Sequence, residues 1–213
     1  MSWQACRAGG TKVPANSGYA PQREAGRKGT GRGRTGRNRL GGMIVRWSNV
    51  PGMAKKAAAG TPATVALTAQ KVEHTLHPYD VSPDAPNYGA LVAQALEVAP
   101  EKVFKTLIAE VEGELVVAVV PVTGDLDLKA LAHAAGGKRA ALADRAAAER
   151  SSGYVRGGIS PIGQRKRLPT VVDDSAVALD RMYVSAGRRG LQVALAPADL
   201  IRLTYAVTAA IRT

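Results

Sequence analysis

Residues 115–122 read Leu-Val-Val-Ala-Val-Val-Pro-Val, a run with no charged or hydrogen-bonding side chain at any position. Valine dominates it, so a strand is favoured, and because both faces are apolar the strand must lie inside a sheet that is covered on both sides. The preceding stretch, 103–111, is also rich in strand formers, and Glu112-Gly113-Glu114 separates the two, which predicts an antiparallel hairpin. The rest of the chain has to supply layers above and below it.

The flanking segments offer them. Thr61 followed by Pro62 is a cap and first turn, with apolar spacing that predicts a helix to about Glu73. Residues 75–79 read as a short edge strand, since Pro78 removes a ladder donor, and 80–86 as a polar loop. Asn87 is placed to cap a helix to about Val98; further helices are expected at 126–135, ended by Gly136-Gly137, and at 144–151, ended near Gly153. Short strands are expected at 169–173, 181–185 and 191–195, then a last helix over 197–211. The regular rhythm of a doubly wound sheet is missing. The expected fold is therefore α+β, a mixed, curved, barrel-like β-sheet with flanking helices.

Charge limits where this domain begins. Residues 1–52 hold ten Lys or Arg against one acidic residue, Glu24, and so carry nine of the chain's net +12, along with both tryptophans and the only cysteine, Cys6. The stretch is rich in Gly and Arg and has no apolar periodicity, so it is expected to be a disordered basic tail, or an over-long reading of the gene, given the alternative starts Met43 and Met53. The folded domain is expected over 53–213. Gly31-Arg32-Gly33-Arg34-Thr35-Gly36 matches a dinucleotide-binding spelling, but no strand precedes it and no helix follows. As a Gly/Arg tract it is either a loose phosphate binder or a solvated tail. No apolar run reaches 18 residues and no signal-peptide centre is visible, so neither a membrane span nor secretion is expected, and the cytoplasm is the default.

The inventory of chemical groups is short. A single cysteine excludes an internal disulfide and a cysteine-based zinc site. His74, His77 and His133 have no ligand spacing, and there is no Gly-x-Ser-x-Gly elbow, so no metal, no cofactor and no side-chain nucleophile are expected. The pairs Glu112/Glu114 and Asp173/Asp174 fall in turns, where solvated punctuation is the ordinary explanation. Lys105 is the only charge between Val103 and Ala109. Its ammonium either lines a polar cleft, as an anion or carbonyl binder beside Thr106, or guards an edge strand. Gly157-Gly158-Ile159-Ser160-Pro161-Ile162-Gly163 either brings backbone N–H groups close to a ligand oxygen or makes a tight surface turn. Arg165, Lys166 and Arg167 follow it as a basic cluster.

Taken in order, four stretches resemble the YbaK family of free-standing Cys-tRNA(Pro) deacylases, relatives of the editing domain of bacterial prolyl-tRNA synthetases. They are Phe104-Lys105-Thr106-Leu107, Arg150-Ser151-Ser152-Gly153-Tyr154, the glycine loop running into Arg167-Leu168-Pro169, and Tyr183-Val184-Ser185-Ala186-Gly187 with Arg189-Gly190-Leu191. The resemblance runs from Thr61 to Ile211. It implies a metal-free enzyme that hydrolyses the ester of cysteine mischarged on tRNA(Pro), in association with prolyl-tRNA synthetase. It implies Lys105 and Gly158 as the catalytic positions, with Thr106 beside the lysine and Gly157, Ile159, Ser160 and Pro161 completing the loop that positions the ester. Tyr79, Tyr88 and Ser185 match pocket positions. Close relatives carry Asp where this chain has Gln192, which makes other small amino acids on tRNA the nearest alternative substrates. The implied mechanism is assisted by the substrate: the cysteinyl thiol attacks its own ester carbonyl. The rival from another class is a non-catalytic RNA- or synthetase-docking module in which the tail and Arg165, Lys166 and Arg167 hold phosphates.

Overall fold

A computed structural model describes residues 60–82 and 84–213; the tail and its Gly/Arg tract lie outside the described residues. Thr61 accepts from the Thr64 amide and opens α1 (Pro62–Ala69). Strand β1 (His74–Pro78) leads through a loop to α2 (Tyr88–Ala95). The central hairpin pairs β2 (Phe104–Val111) with β3 (Glu114–Pro121) in unbroken register from Phe104↔Pro121 to Val111↔Glu114. At its turn Glu112 and Gly113 both have positive φ, 50° and 89°, the backbone that matches strand twist in a two-residue hairpin. Helix α3 (Leu128–Ala134) starts at Asp127 and α4 (Arg145–Ser152) at Asp144, each carboxylate accepting first-turn amides. Around α4 come β4 (Ala140–Leu142) and β5 (Thr170–Asp173), followed by β6 (Met182–Arg188), β7 (Leu191–Leu195), α5 (Pro197–Thr204) and β8 (Val207–Ala209).

The strands form two sheets. One has the order β4-β2-β3-β5-β8 and the other β1-β7-β6. As its composition demands, β3 lies in the interior of the larger sheet, buried from Val116 to Val120. One face packs with α1, α5 and the smaller sheet into the main core around Leu67, Phe104, Val119, Met182 and Leu195. The other face meets α3 through Val116, Ala118, Val120 and Leu131. Each of these side chains larger than alanine contributes roughly 1.5–3 kcal/mol of burial. A single parallel bridge, Val103↔Tyr183, connects the start of β2 to β6. The expected curvature is thus realised as two sheets touching at this bridge, not as a closed barrel.

Four local readings need correction. The last helix stops at Thr204 and not at Ile211: Tyr205 turns left-handed at φ 54°, and Val207–Ala209 pairs in parallel with β5. The apolar residues that mimicked a helical face are split, with Ile211 fully buried in the second core. Asn87 stands at the start of α2 in a left-handed conformation with no side-chain capping bond. The strand β4 was not anticipated; its three residues hold their place by pairing with Ala109–Val111. Asp173, half of a carboxylate pair read as punctuation, is fully buried and accepts from the Ile211 amide at 3.0 Å, so it fixes the C-terminal strand. No helix among the described residues is long and apolar enough to cross a membrane.

Candidate active site

In the smaller sheet, register builds a row of polar side chains. His77 on β1 stands opposite Gln192 on β7, and Gln192 stands opposite Ser185 on β6. Met182, Val184, Val193 and Leu195 belong to the main core, so strand alternation sends Tyr183, Ser185 and Gln192 to the other face. The His77 ring meets Tyr183 edge-on with centroids 5.2 Å apart, and its Nε2 lies 2.7 Å from Thr75 Oγ1. Gln192 is only 6% exposed, yet its Oε1 has no hydrogen-bond partner among the described residues. A buried acceptor left unpaired costs about 1–3 kcal/mol, so this is a position at which a donor group would be stabilised.

Two tyrosines stand at one end of this region. Tyr79 and Tyr88 share a hydroxyl–hydroxyl bond of 2.7 Å with rings tilted at 60°. Tyr79 is held by its amide bond to the Gly190 carbonyl at 3.1 Å. Burial, with the Tyr79 bond adding to it, pushes the Tyr88 hydroxyl far above the ordinary tyrosine range, while the nearby Arg189 charge pulls the other way. Arg189 in turn donates through Nε to the Arg156 carbonyl at 2.9 Å. The β6–β7 turn therefore holds both the tyrosine pair, through the Gly190 carbonyl, and the start of the glycine loop, through Arg189. No role for Arg189 or His77 was read from the sequence; the only signal was Arg189-Gly190-Leu191 as part of a resemblance.

The loop itself divides in two. Gly157 has φ 82° and packs on the Arg189 side chain, and a Cβ at Gly158 would lie 3.0 Å from the Arg188 Cα and the Arg189 nitrogen. The Gly158 amide already donates to the Val155 carbonyl at 2.9 Å, so its contribution is close fit, whereas the amides of Gly157 and Ile159 make no such bond among the described residues. Beyond them the loop turns inward. Ile159 packs against the main core, and Pro161 and Ser160 are buried, with Ser160 Oγ accepting from the Ile162 amide. Tyr154 donates its hydroxyl to the Ile162 carbonyl at 2.8 Å, and burial pushes it up to about 12. This half anchors the loop.

Lys105 and Thr106 leave β2 on opposite faces, as neighbours on a strand must. Thr106 shares the face of Phe104 and Ile108, and its Oγ1 is buried without a partner. Lys105 is opposite Val120 of β3, while on its other side β4 reaches only Ala109, and the next contact is the Val103↔Tyr183 bridge. The lysine thus sits at a gap in the sheet and is about one-third exposed, its Nζ 3.0 Å from the exposed Asp125. Of the basic cluster, Arg165 lies against Gly153, whereas Lys166 and Arg167 line a separate cavity beside α5. Among the described residues no set of three His, Cys, Asp or Glu side chains is grouped as for a metal ion.

A family model described as the aminoacyl-tRNA editing domain matches residues 83–203. A curated Enterococcus faecalis protein, EbsC, named as a candidate Cys-tRNA(Pro)/Cys-tRNA(Cys) deacylase, is 41% identical over 124 residues, spanning 57% of this chain and 75% of that protein. Among solved structures, one described as a candidate trans-editing enzyme for prolyl-tRNA synthetase is 20% identical with a TM-score of 0.63, covering 71% of this chain and 95% of that one. Hypothetical protein APE2540 is 24% identical with a TM-score of 0.64, covering 71% and 99%. At these identities the two structures speak for the fold alone.

Proposed function

From the premise that the chain belongs to the aminoacyl-tRNA editing domain family, we propose that it is a trans-editing hydrolase that clears cysteine mischarged on tRNA(Pro). The observation that carries the reading is the buried, unpartnered Gln192 oxygen in the row with Ser185 and His77. Such an acceptor suits the α-ammonium of a small amino acid, which brings three donors. The tyrosine pair and Arg189 bound the region, and the 41% identity to a protein named for this substrate supports cysteine.

The chemistry asks the protein for position and charge and not for a nucleophile. The substrate sulfur attacks the carbonyl carbon of its own ester; a C–S bond forms, the ester C–O bond breaks, and the ribose hydroxyl of the tRNA leaves with the proton. The four-membered thiolactone is then opened by water to cysteine. Lys105 Nζ and the Gly157 and Ile159 amides are the groups suited to the developing oxyanion. Gly158 lets the loop seat directly on the β6–β7 turn, which a side chain there would strike, and so sets where the Gly157 and Ile159 amides stand. Prolyl-tRNA synthetase is the expected partner, and the cytoplasm the expected compartment.

The test is release of free tRNA from tRNA(Pro) charged with cysteine, alanine or proline, with and without a chelator. The cysteinyl ester should be cleared far faster than the alanyl one, with the chelator making no difference. Equal rates on the cysteinyl and alanyl esters would exclude the thiol route and point to an activated water; no release at all would leave a binding module.

A further inference from the structure

Away from the tyrosine pair, α1, the 161–168 segment and the end of α5 border a half-open cavity of about 450 Å³. Three cations line it, Lys166, Arg167 and Arg202, and no carboxylate does. Lys166 and Arg167 make no ion pair among the described residues, and Arg202 is oriented by Asp199 at 2.8 Å while its side chain stays 56% exposed. The Arg167 guanidinium carbon lies over Tyr205, 3.6 Å from the ring centroid. Tyr205 is 72% exposed and sits at φ 54°, a backbone region that bulky residues rarely enter. The left-handed turn belongs to the end of α5, but it leaves the ring out in solvent with the Arg167 cation over it, a pairing that core packing does not require.

We propose that this cavity is an RNA site, in which Arg167 and Tyr205 stack one unpaired base and Lys166 and Arg202 hold the adjoining phosphates. The inference rests on the reading of the substrate as an aminoacyl-tRNA and locates a contact apart from the acyl pocket. A stacked Arg–aromatic pair takes any base through its π-face, and cations without carboxylates suit a sugar-phosphate chain; an acidic peptide would use the charges and leave the ring idle. The cavity is also continuous in sequence with the candidate active site. The segment that offers the Gly157 and Ile159 amides runs through Pro161 and Ile162 into the cavity wall, pinned at Gly163, where a Cβ would lie 2.6 Å from the Pro62 carbonyl.

The experiment uses the full chain and fluorescently labelled, uncharged tRNA(Pro), followed by anisotropy over a range of salt, with AMP as competitor. Tyr205→Gly and Arg167→Lys should each weaken binding by roughly tenfold, as loss of a stacking partner does. Tyr205→Trp should restore it. Arg202→Gln should lower the salt slope by about one. Tyr205→Gly should melt no earlier than the parent, since glycine is at ease at φ 54°, which separates lost binding from lost fold. Unchanged affinity in Tyr205→Gly and Arg167→Lys, with an unchanged salt slope in Arg202→Gln, would overturn the proposal. So would AMP binding that the variants abolish while tRNA binding is untouched, because the cavity would then serve a free nucleotide. The probe carries no amino acid, so the outcomes separate: tRNA binding through the cavity without turnover of Cys-tRNA(Pro) fails the proposed reaction alone, and turnover with indifferent variants fails this site alone.

Discussion

At position 192 the fold leaves a carboxamide oxygen buried with nothing to accept from. An acceptor that serves a ligand costs the fold what it gives the reaction, so removing the amide should help the fold and harm the reaction. Gln192→Met keeps the length without the polar group; we expect stability unchanged or raised by about 1 kcal/mol, and turnover of Cys-tRNA(Pro) lowered by about tenfold or more, read by thermal melting and by deacylation rate. Lys105 predicts the complementary result. Its partner Asp125 is 91% exposed, and such pairs contribute at most about 1 kcal/mol, so Lys105→Ala should remain folded while losing about a hundredfold in kcat. Retained turnover would remove Lys105 from the site. These positions were legible in the sequence because a lone charge in an apolar strand and a motif in fixed order mark them. Arg189 was not, because its bond to the Arg156 carbonyl joins residues 33 apart and depends on how a loop meets a turn.

At the scale of elements, the glycine loop is the part with least freedom. Gly163 has φ 67° and lies on the Pro62 backbone, whereas Gly136 has φ 79° with open space around it. Gly163→Ala should therefore destabilise by about 2 kcal/mol or more and Gly136→Ala by only about 1 kcal/mol, measured by denaturant unfolding; equal effects would show that the contact with α1 gives way. The same loop sets an alkaline limit. Tyr154 is raised by burial from 10.0 to about 12, so the stability it contributes is fully present below pH 10 and is lost as pH rises toward 12. Tyr154→Phe should flatten that fall. Most elements were legible because caps, turns and apolar spacing are local: α1, the hairpin and α4 begin where their Thr61, Glu112-Gly113 and Asp144 signals stand. The segment 205–211 was not, since its apolar spacing satisfies a helix equally well and only pairing with β5 decides for a strand.

For the molecule as a whole the unresolved question is how charge is shared in binding tRNA. From Met53 onward nineteen basic residues face sixteen acidic ones, whereas residues 1–52 have ten basic against one acidic. The sequence of those 52 residues shows no core pattern, so deleting them should shift the melting temperature by less than the roughly 2–4 °C that 1 kcal/mol produces in a domain of this size, and should leave deacylation of Cys-tRNA(Pro) in place. Binding should respond differently. Each phosphate neutralised adds about 0.7–0.9 to the slope of log affinity against log salt, so a chain that uses its leading basic stretch would lose several units of slope on truncation. The three cations of the α5 cavity would then account for a remaining slope of about 2–3. A truncated protein with the full-length slope would assign phosphate binding to the domain alone, and one that melts early would show that the leading residues belong to its core.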